Sequence, residues 1–303
     1  MNNPIGVFDS GVGGLSVLRE IRRELPQEDL LYVADSGHAP YGDKTTEQIE
    51  ARAIAITEFL IGRNAKAIVV ACNTATGAAV TTLRARFSLP IVAMEPAVKP
   101  AATHTRSGSV GVLATSRTID SENFARLHQR FGTDVRILKQ ACPGLVEQVE
   151  AGNLSGRETR ILVEQYVLPL LEQGVDTLVL GCTHYPFLTP LIQQVAGSSV
   201  TIIDPSPAIA RELRRRLVLA GLLAGMYRTG SERFWSSAPS DRTDAVLRQL
   251  WQADIELSAL PDPASYSSLS RGDTPSAGSP VSGSIQSEMP ISASASSSVS
   301  PSS

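Results

Sequence analysis

Short apolar runs recur along the chain, each closed by a small or polar residue and followed by helix-like sequence. In the first half they are Ile5 to Phe8 before Asp9, Leu30 to Ala34 before Asp35, Ala67 to Ala71 before Cys72, and Ile91 to Met94 before Glu95. In the second half they are Val110 to Leu113, Val135 to Leu138, Thr177 to Leu180 before Gly181 and Cys182, and Val200 to Ile203 before Asp204. Continuous apolar runs predict strands buried on both faces of a parallel sheet, because a strand with one wet face alternates. Helical stretches between the runs, such as Thr46 to Leu60 and Arg157 to Leu171, predict an α/β fold.

The runs divide into two quartets that form a weak tandem repeat. The third run of each ends in a cysteine followed by polar residues, IVVACNTA and LVLGCTHYP. The first run of each leads through a loop into a helix, IGVFDSGVGGLSVL and VGVLATSRTIDSENF. The expectation is two similar α/β domains, each a mostly parallel sheet flanked by helices, with an active site in the cleft between them. Sites in such folds lie at the carboxyl ends of the strands. A duplicated fold that carries no chemistry is the competing reading.

Composition narrows the class. The chain has 303 residues, 42% of them hydrophobic, and a net charge of −3. That is a globular composition of about two domains, without the basic surplus of a nucleic-acid-binding protein. The N-terminus MNNPIGVFDSG has neither the basic nor the apolar region of a secretory signal. The longest apolar stretch, Leu217 to Tyr227, is well short of the ~20 residues of a membrane helix. Cys72, Cys142 and Cys182 are too few and too widely spaced for a disulfide framework, so free thiols in a reducing, cytoplasmic setting are expected. Arg214, Arg215 and Arg216, in the helical stretch Ala208 to Ala224, are read as a solvated basic face. From about Pro263 the chain is dominated by Ser, Pro, Gly and Ala, which predicts a disordered tail without function.

Cys72 and Cys182 are the sharpest chemical feature. A single free cysteine is usually a small core hydrophobe. These two stand at equivalent strand exits beside Asn73 and Thr74, and beside Thr183 and His184. Moving a proton from one face of a carbon to the other needs two bases on opposite sides, which a pair from two quasi-symmetric domains supplies. A thiol of ordinary pKa, about 8.5, is only a few per cent thiolate at neutral pH; an imidazole or a helix N-terminus raises that fraction. His184 is the candidate partner of Cys182. Cys142, before Pro143, is read as structural.

Asp9 and Ser10 precede GVGGLS, in which Ser16 stands where a dinucleotide-binding G-x-G-x-x-G has its last glycine. The alternative is a tight turn whose N–H groups approach an anionic ligand. Asp9 is either a helix cap or a group that orients a substrate ammonium and supports proton transfer at Cys72. In ADSGHAPYGDKT, Gly42 would let backbone approach a ligand and Tyr41 could donate a hydrogen bond to it. Glu147 and Glu150 read as surface helix residues. Only Lys44, Lys66, Lys99 and Lys139 could form a Schiff base, and none has a recognisable pyridoxal phosphate setting; neither a cofactor nor a metal is expected.

Together GVFDSGVGGLSVL, YVADSGHAPYG, VVACNTATG, AMEPAVKPA, CPGLVEQVEAG, LVLGCTHYPFL and IIDPSPAIA, spread over residues 5–210, resemble the glutamate racemases of the aspartate/glutamate racemase family. The resemblance implies cofactor-independent interconversion of L- and D-glutamate for peptidoglycan synthesis. It places the paired acid/base cysteines on Cys72 and Cys182, and assisting residues on Asp9, Glu150 and His184. Substrate contacts fall on Asp9, Ser10, Tyr41, Gly42, Asn73, Thr74, Thr183 and His184. The family architecture implies that the chain crosses over twice. Residues 1–98 and 206–260 would then form the first domain, 99–205 the second, and 261–303 the tail. Homodimers are common in the family. The chain starts four residues before its first strand, so activation by a cell-wall precursor through an N-terminal extension is not expected.

Competing readings stay open at this point. They are an aspartate or related two-cysteine racemase, a metal-binding or regulatory protein using Cys72, Cys182 and His184, a cysteine hydrolase using Cys182 and His184, and a non-catalytic ligand-binding relative.

Overall fold

The computed structural model describes residues 3–132, 135–225 and 227–262; the serine-rich tail from Pro263 lies outside the described residues. The expected runs form strands β1 (Ile5–Asp9), β2 (Leu30–Ala34), β3 (Ala67–Val70), β4 (Ile91–Ala93), β5 (Ser109–Ala114), β6 (Arg136–Ala141), β7 (Thr177–Leu180) and β8 (Thr201–Ile203). Two more follow, β9 (Glu232–Ser236) and β10 (Leu257–Ala259). They assemble into one sheet of order β10-β9-β2-β1-β3-β4 and another of order β6-β5-β7-β8. Every strand pairing is parallel.

The tandem repeat survives as topology. Each quartet adopts the same order, second-first-third-fourth, and β9 and β10 extend the first sheet from its β2 edge. Central strands are buried throughout, as their unbroken apolar runs require. One pair of glycines shows the equivalence in detail. A Cβ on Gly6 in β1 would lie 2.9 Å from Ile68 Cδ1 and 3.0 Å from Leu60 Cδ1. A Cβ on Gly111 in β5 would lie 2.9 Å from both Leu178 Cδ2 and Leu170 Cδ1. In both halves the missing side chain lets the covering helix sit down on the first strand.

Helices begin where the sequence offers caps. Thr45 and Gln48 form a reciprocal capping box for the helix Thr46–Gly62. The helix Arg157–Glu172 covers the second sheet on one side. The helix Ser206–Leu219 returns to pack on the first-domain helix Leu15–Glu24. One apolar cluster is continuous between the halves, joining Val12 and Leu15 to Val146, Val149 and Tyr185. The arginines of 214–216 are exposed, Arg215 and Arg216 pairing with Glu212 and Arg214 with Glu24. Among the described residues, no helix is long and apolar enough to cross a membrane.

Candidate active site

In each sheet the chain reverses its winding beside the first strand of the quartet, since β1 lies between β2 and β3 and β5 lies between β6 and β7. Strand ends part at such switch points and leave a crevice. Asp9 ends β1, Cys72 follows β3, Thr115 follows β5 and Cys182 follows β7. The two crevices face each other. Their residues Ser10, Cys72, Asn73, Thr74, Thr115, Cys182, Thr183 and His184, with Pro40, Tyr41, Gly42 and Val146, line one cavity. Both thiols line it.

Their surroundings differ. Cys72 is the N-cap of the helix Asn73–Arg86, its Sγ accepting from the Ala75 N–H at 3.4 Å while the thiol donates to Ser10 Oγ at 3.7 Å. A helix terminus ordinarily favours thiolate. Here burial, and then the neighbouring Asp9 carboxylate, push the Cys72 thiol well up instead.

Cys182 faces His184, whose Nδ1 lies 3.7 Å from Sγ. The opposite ring nitrogen, Nε2, is 2.7 Å from Glu150 Oε1. Burial pulls the imidazole pKa down, but hydrogen bonds to Cys182 and Glu150 reverse this and hold it well above its ordinary value. An imidazolium carries an N–H on both nitrogens and so serves both partners.

The glycine turn between β1 and its helix has a different purpose from the one its sequence suggested. Its N–H groups hold the protein's own carboxylates. Gly14 donates to Asp9 Oδ2 at 2.9 Å, Gly11 to the same oxygen at 3.4 Å, and Val12 to Glu150 Oε1 at 2.7 Å. A Cβ on Gly11 would stand 1.8 Å from Glu150 Oε1, and one on Gly13 2.3 Å from His184 Nδ1. Glycine is required because side chains of the other half occupy that space. Ser16 reaches across as well, donating to the Thr183 carbonyl at 2.9 Å, while the Thr183 hydroxyl donates to Asp9 Oδ1 at 3.3 Å. Asp9 is fully buried. Burial raises its pKa, with His184 opposing and Glu150 adding to the rise.

Tyr41 departs from expectation in one respect. Its ring lines the cavity, but its hydroxyl donates to Asp35 Oδ2 at 2.6 Å, so that hydrogen is committed within the protein. Asp35 also takes two hydrogen bonds from Arg52, at 2.9 and 2.7 Å. Gly42 lines the cavity as expected of a close backbone approach. The Thr74 hydroxyl lies 2.9 Å from that of Thr115 and 3.1 Å from that of Thr118, which are 2.9 Å from each other. Neither Thr115 nor Thr118 was singled out from sequence. The repeat held the signal, because Thr115 follows β5 as Ser10 follows β1. Both amide atoms of the Asn73 side chain are buried without a partner, beside an enclosed space that a polar ligand would fill. Cys142 is buried, donates to the Gln140 carbonyl at 3.4 Å and does not line the cavity. Glu147 does not line the cavity; it lines an outer cleft with Glu150.

Residues 5–213 match the family model described as Asp/Glu/Hydantoin racemase. Glutamate racemase of Methylococcus capsulatus is 56% identical over 259 residues, covering 86% of this chain and 96% of the relative. The crystal structure of a Bacillus anthracis glutamate racemase isoform superposes with a TM-score of 0.79 at 34% identity, covering 86% of this chain and 98% of that one. Escherichia coli glutamate racemase, in complex with L-glutamate and the activator UDP-MurNAc-ala, gives a TM-score of 0.75 at 32% identity over 86% of this chain and 100% of that one.

Proposed function

Since the chain belongs to the Asp/Glu/hydantoin racemase family, we propose that it is a glutamate racemase in which Cys72 and Cys182 exchange the α-proton. The observation that carries the mechanism is the shared cavity, with a sulfur from each half on its wall. One sulfur removes the α-hydrogen as a proton, leaving the electron pair on the α-carbon and its carboxylate. The other sulfur delivers its own proton to the opposite face. Atoms and charge balance without an external oxidant, reductant or carbonyl cofactor.

The two environments divide the work. Cys72 arrives at the reaction as a protonated thiol and is the donor, while Cys182, facing the His184 imidazolium, is the acceptor; the reverse reaction exchanges these roles. Ser10, Asn73, Thr74 and Thr183 supply polar groups for the substrate carboxylates and for charge that builds during proton removal. Asp9 does not itself line the cavity; it lies behind Ser10 and accepts from the Thr183 hydroxyl, and its charge would favour a substrate ammonium from there. A positioned acid or base contributes ~10²–10⁴ in rate, so fixed orientation in a closed cavity must supply much of the remainder.

The family context points to D-glutamate supply for peptidoglycan in the cytoplasm. It also points to a homodimer, for which half-exposed Ile161 and Leu168, a heptad apart on one helix, offer apolar surface. Light scattering of the purified chain reads the oligomer directly. For the reaction, glutamate incubated with enzyme in D₂O and no added cofactor should gain deuterium at Cα as it racemises. Cys72→Ala and Cys182→Ala should each lose ~10²-fold or more of turnover. Full racemisation by either variant rules out the two-thiol mechanism, and a faster reaction with aspartate in a substrate panel rules out the glutamate assignment.

A further inference from the structure

A two-thiol racemase ends each turnover with its protons on the wrong sulfurs. After Cys182 has taken the α-proton and Cys72 has given one up, the next molecule of the same enantiomer needs the reverse arrangement. Cys182 must release a proton and Cys72 must gain one. Nothing in the reaction itself does this, and both thiols are buried.

Behind Cys182 the structure holds a continuous hydrogen-bonded path. Sγ meets His184 Nδ1 at 3.7 Å, and His184 Nε2 meets Glu150 Oε1 at 2.7 Å. The His184 side chain is 1% exposed, but that of Glu150 is 20% exposed. Glu150 opens into a second cleft, lined by Ser36, Glu147, Ala151, Ala238 and Arg242 among others. This cleft shares only Pro40 and Val146 with the wall of the substrate cavity. Among the described residues Cys72 has no equivalent route, since its neighbours Ser10 and Asp9 are 5% and 0% exposed.

We propose that His184 and Glu150 form a proton exit that resets Cys182 through the outer cleft. Once Cys182 is a neutral thiol the charge that held the imidazolium is gone, and His184 is the neutral ring with Nε2–H on Glu150 and a bare Nδ1; the thiol gives its proton to that Nδ1 as Nε2–H passes to Glu150. The protonated carboxyl then releases to water in the outer cleft. Cys72 regains a proton from solvent through the substrate cavity when it opens. The net change is one proton lost to bulk water and one gained from it. This proposal rests on the two-thiol reading.

The test is the approach to equilibrium of each glutamate enantiomer over a wide concentration range in D₂O. It uses wild type, Glu150→Gln and Ala238→Trp; the last places an indole in the outer cleft and leaves the relay residues intact. If reset is slow, enzyme left in its product form rebinds product and carries it back, so net conversion slows as total glutamate rises. Glu150→Gln should slow reset by ~10²-fold and show this behaviour, with recovery on adding imidazole or formate as a small proton carrier. Ala238→Trp should show it more weakly. Equal loss at every glutamate concentration, without recovery, overturns the proposal and leaves Glu150 a role in the chemical step alone. An unaffected Ala238→Trp alongside a slowed Glu150→Gln also overturns it, because the proton would then leave by the substrate entrance. Failure of the two-thiol reading is separately visible, as wild-type product without solvent deuterium at Cα.

Discussion

Gly13→Ala is the smallest change that tests how the two halves build the site. The new Cβ would lie 2.3 Å from His184 Nδ1 and 2.6 Å from Cγ and Cε1, where real Cβ contacts do not fall below 3.0 Å. The ring must therefore move by at least about 0.7 Å, the difference between 3.0 and 2.3. It is buried between Cys182 and Glu150, so any movement disturbs one contact or both. A misplacement on the order of 1 Å costs ~10²-fold in rate, which is about 2.7 kcal/mol of barrier at 1.36 kcal/mol per decade. A strained or broken charge-assisted hydrogen bond to Glu150 should also lower stability by about 1.5–3 kcal/mol.

The assay is circular dichroism of each enantiomer's conversion, with thermal unfolding run alongside. Because the enantiomers have equal free energies, kcat/KM must fall by the same factor in both directions, which gives an internal check. Gly62→Ala is the control. It ends a helix with nothing within 4 Å of the new methyl and should leave turnover alone while adding up to ~1 kcal/mol of stability. Unchanged turnover in Gly13→Ala would refute the claim that this glycine exists to admit the imidazole.

Asn73→Ala removes a buried amide whose two polar atoms have no protein partner. It should raise KM about 10- to 100-fold, matching ~1–3 kcal/mol of lost polar contact, without lowering the Tm; a lower Tm with normal KM contradicts a ligand-facing role. The raised His184 pKa gives a signed stability prediction. Its contribution is complete below the unfolded value near 6.5 and disappears as pH rises through the higher folded value. Wild type should thus lose Tm on the alkaline side relative to His184→Gln, and parallel Tm–pH curves would contradict this. Ending the chain after Asp262 retains every residue that lines the cavity, so kcat and KM should stay at wild-type values in a steady-state comparison.

The fold was legible where physics leaves a continuous mark. A strand covered on both faces is mostly apolar, so β1 to β5 and β7 show themselves as apolar runs with polar residues only at their ends. β9 did not, because Glu232 and Arg233 occupy its first two positions and only Phe234, Trp235 and Ser236 are buried. β10 is a three-residue edge strand with little burial. Of the site, the two cysteines were legible from their matching places in the repeat. Glu150 was not, since the surface-helix reading of CPGLVEQVEAG was reasonable and only the resemblance gave the residue a role. Its key partner, the Val12 N–H, lies 138 residues away. The glycine turn was misread for the same reason, because local sequence shows that a backbone must be approached closely but not by what. Tyr41 pointed at the cavity as expected, yet a stronger acceptor, Asp35, claimed its hydroxyl.

Hydrogen bonds join the halves along their seam on more than one side of the cavity. Thr74 meets Thr115 hydroxyl to hydroxyl at 2.9 Å, and Val12 meets Glu150 at 2.7 Å. A polypeptide continuing from either end of a glutamate residue would have to pass through that seam and hold it open. Such a site distinguishes monomer from polymer without any group that recognises a peptide bond.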